Sequence, residues 1–261
     1  MDHFTPLPHA PQNPATRPSL TPGLLQTLME KAAAVEARLR HIAQDYAPVA
    51  FASSLGAEDM VLADMILKNA LPIRIFTLDT GRLHPETCDL LATAEAHYGQ
   101  RFEVFYPKHT ALEHFVRAHG INAFYGSVAA RRQCCQIRKV EPLGRALAGC
   151  EAWITGMRAQ QSATRQGLPI QEFDAEHGLE KFNPLADWSE REVWAYIRTR
   201  DVPYNPLHDC FYASIGCAPC TRALAAGEDI RAGRWWWENP ETKECGLHSR
   251  VSSALPTDAP S

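Results

Sequence analysis

The stretch PVAFASSLGAED, Pro48 to Asp59, holds a strand, a loop and the start of a helix in twelve residues. Pro48–Ala52 is a short apolar run of the kind that fills a buried strand. Ser53-Ser54-Leu55-Gly56-Ala57-Glu58-Asp59 is small and acidic, as a loop is. Val61, Leu62, Met65 and Ile66 then recur at helical spacing. A strand that passes through a tight loop into a helix is the opening of a βα unit.

The same alternation continues on both sides. Upstream, Leu24, Leu28, Val35, Leu39 and Ile42 predict a helix over 24–42. Downstream, Ile73–Leu78 reads as a strand closed by Asp79-Thr80-Gly81-Arg82, and Glu86–Tyr98 as a helix. Phe102–Tyr106 reads as a strand, Ala111–His119 as a helix, Trp153–Thr155 as a further strand and Ile170–Phe173 as an edge strand. Ser189-Glu190-Arg191-Glu192 is a capping-box pattern that predicts a helix over 189–200. The expected fold class is α/β, a parallel sheet with helices on both faces.

The chain of 261 residues suits one large domain, or one with a small appendage. The expected division is a disordered leader at 1–22, an α/β domain at 23–225, a mobile C-terminal tail at 226–250 and a disordered end at 251–261. The formal net charge of −4 argues against a nucleic-acid surface. No run approaches the roughly 18 apolar residues of a membrane span. Met1–Pro22 lacks the apolar segment of a signal peptide, so a cytoplasmic, reducing compartment is expected and the eight cysteines are not read as disulfides.

Ligands of open parallel sheets sit beyond the carboxyl ends of the strands. Ser53–Asp59 lies at such an end, where Gly56 and small side chains admit an anion to backbone N–H groups and to a helix N-terminus. An ordinary strand-to-helix turn has the same local sequence, and Leu78–Arg82 is equally two-sided. Arg158 and Arg165 flank a Gln/Ser/Thr-rich stretch, and Arg231 and Arg234 lie in the tail. Arginine forks match phosphate and sulfate oxygens, but each is also an ordinary surface charge unless they converge.

Four cysteines fall into two pairs, Cys134-Cys135 and Cys217-Ala218-Pro219-Cys220. CxxC suits a metal, and adjacent cysteines on a helix diverge by about 100°. That divergence suits two irons of one cubane better than one tetrahedral zinc. Structural zinc, a redox pair and buried thiols stay open on spacing alone. Lys139, four residues after Cys135, would share its helical face and could lie between an anionic cluster and an anionic substrate. Cys245, beside Lys243 and Gly246, has the setting of a reactive thiolate. Cys88, Cys150 and Cys210 read as packing residues.

Taken together, SSLGAED (53–59), LDTGRLHPET (78–87), CCQIRK (134–139), TGMRAQQSATR (155–165), KFNPLADWS (181–189), IGCAPCTR (215–222), GRWWWE (233–238) and KECGLH (243–248) resemble the assimilatory adenylyl-sulfate reductases. The resemblance covers about residues 47–249. It implies an adenine-nucleotide α-hydrolase-like fold and adenosine 5′-phosphosulfate as substrate. It implies that Cys134, Cys135, Cys217 and Cys220 hold a [4Fe–4S] cluster, which Lys139 links electrostatically to substrate. Ser53, Gly56, Glu58, Asp59, Leu78, Thr80 and Gly156 would line the nucleotide pocket, and Arg165, Arg231 and Arg234 would meet the phosphosulfate. Cys245 would be the nucleophile, and thioredoxin or a similar dithiol the reductant. Leu55 departs from relatives that carry serine there, which leaves backbone contacts at 55. The rival readings are a phosphoadenylyl-sulfate reductase, whose representatives lack both cysteine pairs, and an ATP-dependent RNA-thiolating enzyme, whose SGGxDS loop is absent here. Homo-oligomerisation is left open.

Overall fold

The computed structural model describes residues 13–161, 167–239 and 243. The chain enters through a long helix, α1 (Pro22–Asp45), started by Thr21, whose side chain accepts from the Leu24 N–H. It then alternates: β1 (Val49–Ala52), α2 (Ala57–Lys68), β2 (Ile73–Leu78), α3 (Pro85–Tyr98), β3 (Glu103–Phe105), α4 (His109–His119) and α5 (Val128–Cys135). A π turn, Gln136–Val140, joins α5 to α6 (Glu141–Leu147). β4 (Ala152–Ile154), β5 (Gln171–Asp174), β6 (Leu179–Phe182) and α7 (Glu190–Arg200) follow.

The strands form one six-stranded sheet in the order β3-β2-β1-β4-β6-β5. All pairings are parallel except that of the edge strand β5 with β6. The sheet is therefore mostly parallel, with one reversed edge. Alternate residues of each strand serve opposite faces. Phe51, Ile75 and Ile154 pack with Met60, Leu62 and Val193 from α2 and α7, while Ala50, Phe76 and Trp153 pack with Leu143 and Ala146 of α6. Helices cover both faces, as the alternation predicts. At the start of α7, Ser189 accepts from the Glu192 N–H and the Glu192 carboxylate accepts from the Ser189 N–H, the predicted capping box.

β6 is not expected from the sequence, because Leu179-Glu180-Lys181-Phe182 reads as polar. Lys181 is nevertheless buried: its ammonium lies 5.4 Å from the Trp153 ring centroid and 3.0 Å from Glu172. The alkyl stem packs while the charge finds partners on neighbouring strands.

Two expected boundaries are corrected. The segment from Asn13 is built onto the body rather than belonging to a leader that runs to 22. Thr16 is fully buried, and its hydroxyl lies 2.6 Å from Asp209. The chain from 226 to 239 is likewise not a separate tail. The Trp235 N–H donates to Cys220 O, Arg222 N–H to Gly233 O, and Trp235 is buried. No described helix is long and apolar enough to cross a membrane.

Candidate active site

Strand order reverses about β1, since β2 and β3 lie to one side and β4 to the other. The crevice beyond β1 and β4 is therefore a topological switch point, where open parallel sheets take ligands. A cavity of about 280 Å³ opens there.

The loop after β1 reaches this cavity in a strained form. Leu55 has φ of 60°, a left-handed backbone that a branched side chain rarely takes, and its side chain is buried. The loop is tied inward: the Leu55 N–H donates to Ser53 Oγ at 3.2 Å, and Ser54 N–H and Oγ–H both donate to Asp59 Oδ2 at 2.6 Å. Gly56 stands at the N-cap of α2. Gly156, just beyond β4, is obligatory for close approach, because a Cβ there would lie 2.1 Å from Asp59 Oδ1. Asp59 is thus the internal acceptor that closes the loop. Burial pushes its carboxyl up to about 6, against the hydrogen bonds from Ser54 and Gly156.

That shift sets a pH dependence. A carboxyl whose pKa is raised by folding contributes stability that is fully present below its unfolded value and is lost as pH rises through the folded one. For Asp59 the window runs from about 4 to about 6. In urea denaturation at a series of pH values, Asp59→Asn is expected to lack this part of the wild-type decline. An unchanged decline would assign it to other groups.

Glu58 and Arg158 form a buried ion pair, Nε to Oε1 at 2.7 Å, and Arg158 also donates to Trp188 O. Burial would raise the Glu58 carboxyl, but Arg158, a backbone hydrogen bond and His208 together hold it low. Arg158 is therefore committed within the protein. His208, not singled out by the sequence, also lines the cavity. Its Nδ1 donates to Tyr212 O at 2.7 Å, its Nε2 is buried without a partner, and burial lowers its pKa.

The structure brings the expected nucleotide residues to one place. Ser53, Gly56, Glu58, Asp59 and Gly156 line the cavity from the β1 and β4 loops, and Leu78 and Thr80 from the end of β2. Lys139, Arg231 and Arg234 line it from the other side. Arg234 crosses directly over Gly216, where a Cβ would meet its guanidinium at 2.5 Å, and donates to Ser214. Arg231 donates to the backbone carbonyl of Lys243 at 2.7 Å. Arg165 and Cys245 lie outside the described residues.

A second, smaller cavity adjoins the first, and Cys134, Cys135, Cys217 and Cys220 all line it. Lys139 and Cys217 line both cavities. Lys139 reaches them from the π turn, so the regular α-helical spacing assumed between Cys135 and Lys139 is replaced by an i to i+5 turn, a form frequent at functional sites. Thr80 Oγ1 lies 3.2 Å from Cys217 Sγ, and Arg138 donates to Thr80 O, which ties the end of β2 to the cysteines. Burial alone would raise the Cys217 thiol, but Lys139, Thr80, Arg234 and Arg138 together hold it low. Burial pushes the Cys220 thiol up to about 12.

The cysteine cavity fits a multinuclear anionic group. Two buried donors on its wall, Arg138 Nε and Trp235 Nε1, have no acceptor. Among the described residues no three His, Cys, Asp or Glu side chains are arranged to hold a single metal ion. The thiols surround a space, with donors left over for further acceptors. Arg131, also missed by the sequence reading although it lies four residues before Cys135 on α5, completes the wall.

The chain is similar to known proteins in sequence and in fold. A model of the phosphoadenosine phosphosulfate reductase domain matches residues 48–223. Adenosine 5′-phosphosulfate reductase of Allochromatium vinosum is 59 % identical over 234 residues, 90 % of this chain and 90 % of that one. The protein of the same name from Burkholderia cepacia is 51 % identical over 245 residues, 94 % of this chain and 96 % of that one. Among solved structures, the phosphoadenylyl-sulfate reductase of Candida auris in its phosphate complex superposes with a TM-score of 0.64 at 30 % identity, over 78 % of this chain and 98 % of that one. Yeast FAD synthetase, at 12 % identity and a TM-score of 0.53 over 80 % of this chain and 71 % of that one, shares the fold alone. The fold is thus adenine-nucleotide α-hydrolase-like, and the chain belongs to the phosphoadenosine phosphosulfate reductase family.

Proposed function

We propose that the chain reduces adenosine 5′-phosphosulfate to sulfite and AMP, through sulfonation of Cys245, at the expense of thioredoxin or a similar dithiol. The observation that carries this reading is the sharing of Lys139 and Cys217 between the nucleotide cavity and the four-cysteine cavity. The curated relatives named above act, by name, on adenosine 5′-phosphosulfate.

Cys134, Cys135, Cys217 and Cys220 would hold a [4Fe–4S] cluster. When bound, the group supplies a compact, buried anionic charge opposite Lys139. The remaining work belongs to this chain's side chains. The loops after β1 and β4 shape the nucleotide end of the cavity. Lys139, Arg231 and Arg234 bring positive charge to the other end, where a phosphosulfate would need it. The Arg231–Lys243 contact brings the chain back to this end. Cys245 follows Lys243 by two residues, a span of at most about 7 Å between Cα atoms.

The Cys245 thiolate attacks the sulfate sulfur. An S–S bond forms, the S–O bond to the phosphate breaks, and AMP leaves with the bonding electron pair. A thiolate of the dithiol then attacks Cys245 Sγ and expels sulfite with its electron pair. The second thiol resolves the mixed disulfide, restoring Cys245 and leaving the dithiol oxidised.

The test is to mix anaerobically purified protein with adenosine 5′-phosphosulfate and no reductant, then map the adduct by mass spectrometry. An SO₃ group on the Cys245 peptide, released by reduced thioredoxin, is the expected result. Lys139→Ala should form it more slowly with iron content unchanged. An adduct formed only from the 3′-phosphorylated nucleotide would overturn the substrate assignment, and none from either nucleotide would overturn the reaction.

A further inference from the structure

Arg131 is one of the largest fully buried side chains of the protein. Its guanidinium is held by Glu238, from 107 residues along the chain, in a bidentate pair: Nε to Oε1 at 2.9 Å and Nη2 to Oε2 at 2.8 Å. The side chains are 1 % and 3 % exposed, so both charges have left water. The same guanidinium lies 4.7 Å from the Trp235 ring centroid, and Arg131 lines the second cavity together with Cys135. Arg234 lies at the same distance, 4.7 Å, from that ring.

A pair this buried is poorly explained by stability alone. Two desolvated charges gain little over apolar residues of similar volume, although breaking the pair is costly. The placement suggests what the pair does. Arg131 lines the four-cysteine cavity and Glu238 does not, so the pair turns its positive end to the thiols. The bidentate bond to Glu238 fixes the plane of the guanidinium fork against the wall of the cysteine cavity. A buried cluster of iron, sulfide and four thiolates is an anion, and hydrogen bonds to its sulfurs tune it. Glu238 belongs to the segment that leads to Lys243, and beside it Trp237 packs on Tyr125 at 4.5 Å.

We propose that Arg131 and Glu238 are positioning residues that clasp the C-terminal segment to the cysteine cavity, so that retention of the cluster depends on docking of the segment that leads to Cys245. The clasp rests on the cluster reading above. Arg131 presents a fixed cation to Cys135, and Glu238 supplies the anchor that keeps it there.

The test follows iron passing from the full-length, anaerobically purified protein to a strong ferrous chelator, in wild type, Glu238→Gln and the double variant Arg131→Met/Glu238→Leu. The double variant removes both charges, so it leaves no buried ion without a partner. Release at least tenfold faster is expected in both variants, with AMP affinity close to wild type; the urea midpoint stays close to wild type in the double variant and falls in Glu238→Gln, which leaves a buried charge unpaired. Wild-type release in either variant overturns the proposal. So does faster release in the double variant that tracks a general loss of AMP affinity and urea resistance. A wild-type chain that carries no iron and sulfide removes the cluster reading and the clasp with it, and that is seen before any variant is compared.

Discussion

Cys245→Ser is expected to lower the rate of sulfite formation by roughly 10⁴-fold or more, the scale on which loss of a covalent nucleophile is felt. A serine hydroxyl at neutral pH is a far weaker nucleophile than a thiolate. No SO₃ adduct should form. AMP affinity should stay within about twofold, because exchanging sulfur for oxygen at 245 leaves the loops after β1 and β4 that line the nucleotide cavity unaltered. Iron content should be unchanged, because the cysteines on the second cavity are Cys134, Cys135, Cys217 and Cys220. Rate, adduct and AMP titration therefore separate a lost nucleophile from a damaged fold. Residual turnover near the wild-type level would sink the covalent route, and the contact of Arg231 with the Lys243 carbonyl would need another purpose.

Gly156→Ala is expected to damage the nucleotide end severely, since among the described glycines it is the one whose added Cβ would make the shortest contact. The new Cβ would lie 2.1 Å from Asp59 Oδ1, 3.2 Å from its Cγ and 3.1 Å from its backbone nitrogen. The carboxylate cannot simply swing away. Its other oxygen accepts two hydrogen bonds of 2.6 Å from Ser54, and it sits in the first turn of α2. Either those bonds break or the start of α2 moves. Overpacking of this kind costs about 1–3 kcal/mol of stability. Because the same loop shapes the cavity, AMP affinity should fall by roughly tenfold, about 1.4 kcal/mol. Urea denaturation and calorimetric AMP titration read the two effects separately. Normal AMP affinity in a destabilised protein would move the nucleotide away from the β1–β4 crevice.

Legibility in the sequence followed the range of the interactions. Five of the six strands could be read because their apolar residues are contiguous or alternate, and α7 because its capping box lies within four residues. β6 escaped because Lys181 is buried through contacts with Trp153 and Glu172, on other strands. The helical run from Val128 to Leu147 was not assigned as an element. Its mixed basic sequence lacks a continuous apolar stripe, and its irregularity, the π turn that carries Lys139, has no local signature.

The candidate site divides along the same line. The identities of the chemical groups were already present in short motifs: two cysteine pairs, a small-residue loop after a strand, and arginines and a cysteine near the end of the chain. Contiguous residues constrain one another without any knowledge of the fold, so those motifs were enough to reach the family. Which of these groups are committed within the protein was decided by packing. Ser54 N–H is taken by Asp59, Arg158 by Glu58 from 100 residues away, and Arg131 by Glu238 from 107 away. A charged side chain leaves water only against a partner, and a partner at that separation is found only when the folded chain brings it there.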